Sequence, residues 1–285
     1  MTGVMIMSFD NIHFKTSERT TDIVVKNGVT YLTYRIFDGL PVKAAVSTRL
    51  GGVSEGYVGT MNMSTTRGDD PKAVEENHRL FSDAVGYDSK RLVMSDQIHE
   101  TTVIRVYEED AGAGVLRRGV DGLMTDVKKL PLMTFYADCV PLMIYDTKNH
   151  VIAMSHSGWR GTVARIGEIT LKRMKEEYGT DPIDVRVAIG PSICQDCYEV
   201  DKTLLDAFYE SFSEASRDWF KPSVNEDHFM LDLQSACRYT LIRAGVKKEN
   251  IAMPDLCTCC NPDFLFSHRA SHGKRGNLSV VMELM

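Results

Sequence analysis

The chain has 285 residues, enough to bury a sizeable core as one large domain or two small ones. Its 33 lysines and arginines against 39 aspartates and glutamates give a formal charge of −6 with no basic run, which argues against a nucleic-acid footprint. Hydrophobic residues at 43% and charged ones at 25% are ordinary for a globular protein, and no apolar run approaches the roughly 18 residues that span a membrane. The N-terminal stretch MTGVMIMSFDNIHFK has neither a basic start nor a long apolar core, so no signal peptide and a cytoplasmic location are expected. The seven cysteines are then thiols or metal ligands rather than disulfides.

Residues 1–22 show no clear period and are expected to be loosely ordered in part, ahead of a single domain over 23–285. Strands are predicted at Val29–Ile36 and Val42–Ser47, then a glycine-containing turn from Thr48 to Ser54 and an irregular stretch, Gly59 to Met63. A helix follows: Asp70 suits the N-cap, Pro71 the first position, Val74, Asn77, Phe81 and Ala84 one face, and Gly86 the end. Short strands are predicted at Leu92–Ser95 and Thr102–Tyr107, with Gln97-Ile98-His99-Glu100 between them. Glu108 to Gly119, acidic and glycine-rich, reads as a surface loop.

Leu142–Tyr145 and Val151–Met154 flank a polar turn and predict an antiparallel hairpin. If Tyr145 pairs with Val151, Val140 faces His156 and Cys139 sits one step off; a one-residue slip leaves the two ligand types at the same open end. Opposed residues on paired strands lie only about 5 Å apart, within reach of one metal ion. Helices are predicted at Thr162–Tyr178, Asp201–Phe212 and Leu231–Ala244, and strands at Val185–Ile189 and Ser279–Met282. Irregular alternation of strands and helices around a hairpin predicts an α/β or α+β layered sandwich with a mixed sheet.

A thiol and an imidazole side by side suggest a metal site, and zinc requires a further ligand. His99, in a turn after a short strand, is the best-placed candidate; His78 is the alternative, on an amphipathic helix where a boundary histidine is equally at home. Cys194 and Cys197 with Cys257 and Cys260 form two Cys-x-x-Cys pairs, the usual shape of a structural zinc site, although separate thiols at one edge have the same spacing. Arg49 before a Gly-Gly turn and Arg160 at a helix start are candidates for an anionic substrate, with surface ion pairs as the plain alternative.

Thr48-Arg49-Leu50-Gly51-Gly52-Val53-Ser54, Gly68-Asp69-Asp70-Pro71, Gln97-Ile98-His99, Ala137-Asp138-Cys139-Val140-Pro141 and His156-Ser157-Gly158-Trp159-Arg160-Gly161 occur in this order, followed by Gly190-Pro191-Ser192-Ile193, Tyr198-Glu199-Val200 and Phe266-Ser267-His268-Arg269. From about residue 40 onward this resembles the YfiH/YlmD-like family, formerly called multicopper polyphenol oxidases or laccase-domain proteins. The resemblance implies a mixed α/β sandwich related to cysteine hydrolases. It also implies a purine nucleoside phosphorylase that deaminates adenosine and cleaves methylthioadenosine, with one zinc ion on His99, Cys139 and His156. Purine nucleosides and inorganic phosphate are the expected partners, with no nucleic acid and no membrane. Arg49, Asn62, Gln97 and Arg160 are the expected substrate and phosphate residues, and Asp138 and Glu100 the candidate proton handlers. Asp138 shares a pocket with Cys139 only if the strand breaks between them. Ser157 stands where the family usually has alanine.

Three other functions compete. A copper-dependent polyphenol oxidase is disfavoured because none of the eight histidines forms a His-x-His pair. A cysteine-type hydrolase or amidase, peptidoglycan-editing in some relatives, would use Cys139 as nucleophile and His156 as base, and needs the thiolate free of metal. A non-catalytic zinc protein would lack nucleoside turnover.

Overall fold

The computed structural model describes Phe9 and residues 11–285. In chain order the first elements are β1 (Thr21–Lys26), β2 (Val29–Tyr34), β3 (Val42–Ser47), α1 (Pro71–Val85), β4 (Val93–Asp96), β5 (Val103–Arg105) and β6 (Gly114–Arg118). Next come β7 (Gly122–Thr125), β8 (Leu132–Tyr136), β9 (Val140–Asp146), β10 (Val151–Ser157), α2 (Trp159–Val163), α3 (Ile166–Tyr178) and β11 (Val185–Ile189). The last group is β12 (Glu199–Asp201), α4 (Lys202–Phe212), β13 (Phe220–Pro222), β14 (His228–Leu231), α5 (Leu233–Arg243), β15 (Ile251–Ala252) and β16 (Leu278–Leu284).

Two mixed sheets carry the fold, in the orders β1-β2-β3-β16-β8-β4-β6 and β15-β11-β9-β10-β7-β5. Side-chain alternation sorts them into layers. Val280 and Met282 of β16 share one buried cluster with Met143, Tyr145, Ile152 and Met154 of β9 and β10, so these faces meet. On the far side of the first sheet, Met133 and Val281 pack with Phe81 and Ala84 of α1. The far side of the second sheet, with Leu142, Ile144 and Val187, is covered by α3, α4 and α5 through Ile166, Phe208 and Leu241. The result is a helix–sheet–sheet–helix sandwich in which each fully buried aliphatic residue contributes roughly 1.5–3 kcal/mol.

Local chemistry explains the elements the sequence announced. The Asp70 carboxylate accepts from the Lys72 amide at 3.0 Å, Pro71 opens α1, and Gly86 closes it at φ 87°. Other elements differ from expectation. The helix expected over Thr162–Tyr178 is broken at Arg165 (φ 61°), whose guanidinium donates to the Ser211 carbonyl and lies 5.1 Å from the Phe212 ring centre. No glycine or proline stands at Arg165 itself, and the Arg165 side chain contacts the end of α4 there. Glu108–Gly119 is not all loop, because β6 lies within it and pairs in parallel with β4 at the sheet edge. A small sheet, β12-β14-β13, was not anticipated. Of the N-terminal segment, residues 1–8 and 10 lie outside the described residues. Thr20 and Thr21 are tied down by the buried Asp255 carboxylate, which accepts from both amides and from the Thr21 hydroxyl. Among the described residues no helix is long and apolar enough to cross a membrane.

Candidate metal centre and substrate pocket

The β9–β10 hairpin forms with a register one residue away from the one assumed first: Tyr145 pairs with Ile152, and Pro141 with His156. Continuing the ladder sets Cys139 opposite Gly158, while alternation keeps Cys139 and His156 on the face between the sheets. A side chain at Gly158 would press on the site, since a Cβ there would lie 3.0 Å from His99 Cδ2 and 3.2 Å from Cys139 Sγ. His99 arrives from the turn after β4 in the left-handed conformation (φ 68°), with its Nε2 3.9 Å from Cys139 Sγ. One ligand atom from each of His99, Cys139 and His156 lies within 4.8 Å of the others.

Asp121 organises this triad, and sequence reasoning passed over it. Its fully buried carboxylate takes the backbone amides of Ile98, His99 and Glu100 at 3.2, 3.0 and 2.9 Å, and His156 Nδ1 at 2.8 Å. One side chain therefore shapes the His99 turn and fixes His156 with Nε2 as its free nitrogen, the carboxylate–histidine support common at metal sites. The only cue in the sequence was an Asp-Gly pair. Burial works against ionisation of the Cys139 thiol, but the adjacent His156 and His99 outweigh it and bring its pKa to about 6. Burial likewise disfavours the His156 imidazolium, yet Cys139 and Asp121 on its two sides raise its pKa to about 9. Each of the two side chains thus favours the charged form of the other.

A sulfur and two imidazole nitrogens suit zinc. Tetrahedral Zn–S and Zn–N bonds set such atoms about 3.6 Å apart, close to the spacing here, with one position left open. His99, Cys139 and His156 line a pocket also walled by Gln97, Phe135, Tyr136 and His78, together with Arg67 and Arg275. The arginines come from positions remote in sequence, and neither was foreseen. Among the described residues the buried Nε of each has no hydrogen-bond partner. Burial and the facing Arg67 lower the Arg275 pKa to about 10, so two cations confront each other across the pocket.

The other expected site residues fare differently. Arg49 is not brought to the pocket: Nε and Nη2 donate to the Gly59 carbonyl at 3.1 and 2.9 Å and Nη1 to that of Pro262 at 2.6 Å, spending the fork on backbone. Asn62 is fully buried, and its Oδ1 takes the amides of Ser64 and Asn277, so it braces the segment carrying Arg275 instead of facing solvent. Gln97 lines the pocket, but its amide exchanges two bonds with the Phe135 backbone. Arg160 stands exposed over the Trp159 ring, in a five-residue helix rather than at the start of a long one. Asp138 does sit at a strand break (φ 86°), with its carboxylate engaged by the Thr258 hydroxyl at 2.6 Å and the Arg269 amide at 2.7 Å. Glu100 is exposed. His78 borders the pocket, bonded to the Met63 carbonyl at 2.9 Å, and among the described residues belongs to no ligand group.

A family profile described as multi-copper polyphenol oxidoreductase laccase matches residues 43–284. The chain belongs to this laccase-like YfiH family. Within it, the chain is 33% identical over 242 residues to "Purine nucleoside phosphorylase YlmD" of Bacillus subtilis, covering 83% of this chain and 86% of that protein. It is 33% identical over 235 residues to "Adenosine deaminase RL5" from an unknown prokaryotic organism, covering 79% and 87%. The solved structure of Bacillus licheniformis hypothetical protein YfiH superposes with a TM-score of 0.86 at 29% identity, over 92% of this chain and 99% of that one. The YfiH-family chain described here carries Ser157 without a buried polar penalty, because its hydroxyl bonds Thr162 Oγ1 at 2.8 Å and lies 3.4 Å from Cys237 Sγ.

Proposed function

We propose that the protein is a zinc-dependent cytoplasmic enzyme acting on purine nucleosides. It converts nucleoside and phosphate to free base and ribose 1-phosphate, and adenosine to inosine. The observation that carries this reading is the triad of His99, Cys139 and His156 opening into the same pocket as Arg67 and Arg275, which form no salt bridge among the described residues. The relatives' names supply the substrate class. When bound, zinc supplies Lewis acidity and an activated water for hydrolytic deamination.

The remaining work falls to this chain's own groups. Asp121 holds the His156 ring and the His99 turn in place. Arg67 and Arg275 hold phosphate by paired N–H donors and offset its charge of between one and two near neutral pH. Their mutual repulsion, unfavourable in the empty pocket, becomes an attraction shared by the anion. Phe135 and Tyr136 give the base an apolar wall. Gln97, locked to Phe135, keeps that wall in register with the triad.

Arg275→Ala is expected to raise the KM for phosphate at least tenfold, the order of one lost charge-assisted contact, while adenosine-to-inosine conversion persists. Equal loss of both reactions would make Arg275 part of the shared pocket only. If inosine loses its base at the same rate with and without phosphate, the phosphorylase reading fails. A second reading has a specific basis: Cys139, His156 and Asp121 are aligned as thiol, imidazole and carboxylate, the order of a cysteine hydrolase. Turnover that survives metal chelation and is abolished by a thiol alkylator would favour it.

A further inference from the structure

A second group of thiols lies outside the pocket. β11 and β15 pair in parallel, and the pairing extends through the isolated bridge between Ser192 and Cys257. That extension brings two turns together, Cys194–Cys197 after β11 and Cys257–Cys260 after β15. Their four sulfurs lie within 4.8 Å of one another, with Cys194 and Cys257 buried and Cys197 and Cys260 half-buried. Cys197 Sγ is 3.4 Å and Cys194 Sγ 3.9 Å from Cys260 Sγ. A disulfide needs about 2.05 Å, so neither pair is bonded.

Four sulfurs on one tetrahedral zinc, at Zn–S distances of about 2.3 Å, lie about 3.8 Å from one another, close to the 3.4 and 3.9 Å of the Cys197–Cys260 and Cys194–Cys260 pairs. An iron–sulfur cluster needs room for several irons and sulfides between its cysteines, which this group does not leave. The surroundings are prepared for thiolate charge. Backbone amides of Cys194 and Cys260 both point at Cys257 Sγ, at 3.3 and 3.4 Å. Both turns supply two ligands in the Cys-x-x-Cys spacing of structural zinc sites.

We propose that Cys194, Cys197, Cys257 and Cys260 hold a second zinc ion, structural and closed, distinct from the one at the triad. It staples the turn after β11 to the turn after β15. From this knot Thr258 reaches the Asp138 carboxylate, and Arg269, whose Nη1 donates to the Cys197 carbonyl, donates its amide to the same carboxylate. Asp138 immediately precedes Cys139. The staple therefore sets the backbone from which a triad ligand projects, although it makes no contact with substrate.

The test is metal content of the purified full chain by elemental analysis, with the absorption spectrum of the cobalt(II)-substituted protein. The expected counts are two zinc ions per wild-type chain, one in Cys139→Ala and one or fewer in Cys257→Ser. Cobalt in Cys139→Ala should give the intense charge-transfer bands of a four-thiolate site. Because Cys257→Ser removes a ligand from a structural site and risks not folding, the Cys139→Ala spectrum decides by itself. Metal-free Cys139→Ala, a spectrum without four-thiolate character, or iron in the site overturns the proposal. So does a thiol titration in denaturant and chelator that finds fewer than the seven free cysteines of the wild-type sequence.

Discussion

Replacing Asp121 by asparagine changes one atom and removes a charge, and its consequence can be worked out bond by bond. The carboxylate accepts four hydrogen bonds, two on each oxygen: His99 N and His156 Nδ1 on Oδ1, and Ile98 N and Glu100 N on Oδ2. An asparagine offers one acceptor oxygen, so either way round two donors face its NH₂. Two charge-assisted bonds at about 1.5–3 kcal/mol each put the loss at roughly 3–6 kcal/mol. The cheapest relief is for the amide to face Oδ1's partners while His156 switches tautomer, so that Nδ1 accepts and Nε2 carries the proton. That relief protects the fold and spoils the ligand. Asp121→Asn should therefore lose zinc affinity at the triad by about 10–100-fold, about 1.4–2.7 kcal/mol. Competition against a chromophoric chelator measures this, with Cys139→Ala as the blank for metal held elsewhere and thermal unfolding as the check on folding. Affinity within twofold of wild type in a folded Asp121→Asn chain would refute the account of Asp121 as the support of His156.

Arg49→Ala is expected to lower stability by roughly 2–4 kcal/mol, because three donors and a stack on Phe266 are lost, without changing the KM for phosphate. Urea unfolding alongside phosphate-dependent kinetics tests both halves, and a rise in KM with unchanged stability would return Arg49 to the substrate site. Gly158→Ala meets no backbone obstacle, since Gly158 sits at φ −72° and ψ 176°, but its methyl would crowd His99 and Cys139. A shift of those side chains costing about 1 kcal/mol corresponds to a roughly fivefold weaker zinc site with an unchanged melting temperature. An unaltered zinc affinity would show that the triad has slack the geometry does not suggest.

Legibility from sequence followed the distance over which information acts. The hairpin, the α1 caps and the Cys-x-x-Cys pairs are local signals, and local chemistry realises them. That His99, Cys139 and His156 come together was readable because each sits beside a turn whose residues are distinctive. The pocket wall was not: Arg67 and Arg275 meet only after β16 has entered the first sheet. Arg49 misled because an arginine before two glycines suits ligand binding and backbone bracing equally, and only the Gly59 and Pro262 carbonyls decide between them. The break at Arg165 is written in Ser211 and Phe212, far beyond any helical window.

The place of β16 also sets an order of events in the cell. It follows every other strand in sequence, yet lies in the middle of its sheet, antiparallel to β3 on one side and to β8 on the other. Without β16 the β1-β2-β3 and β8-β4-β6 portions share no strand pairing, and each has an unpaired edge where β16 lies. The ribosome has to deliver residues 278–284 before the two can be joined. Closure of this sheet therefore waits on β16, and until that strand pairs, the facing edges of β3 and β8 are open to other strands.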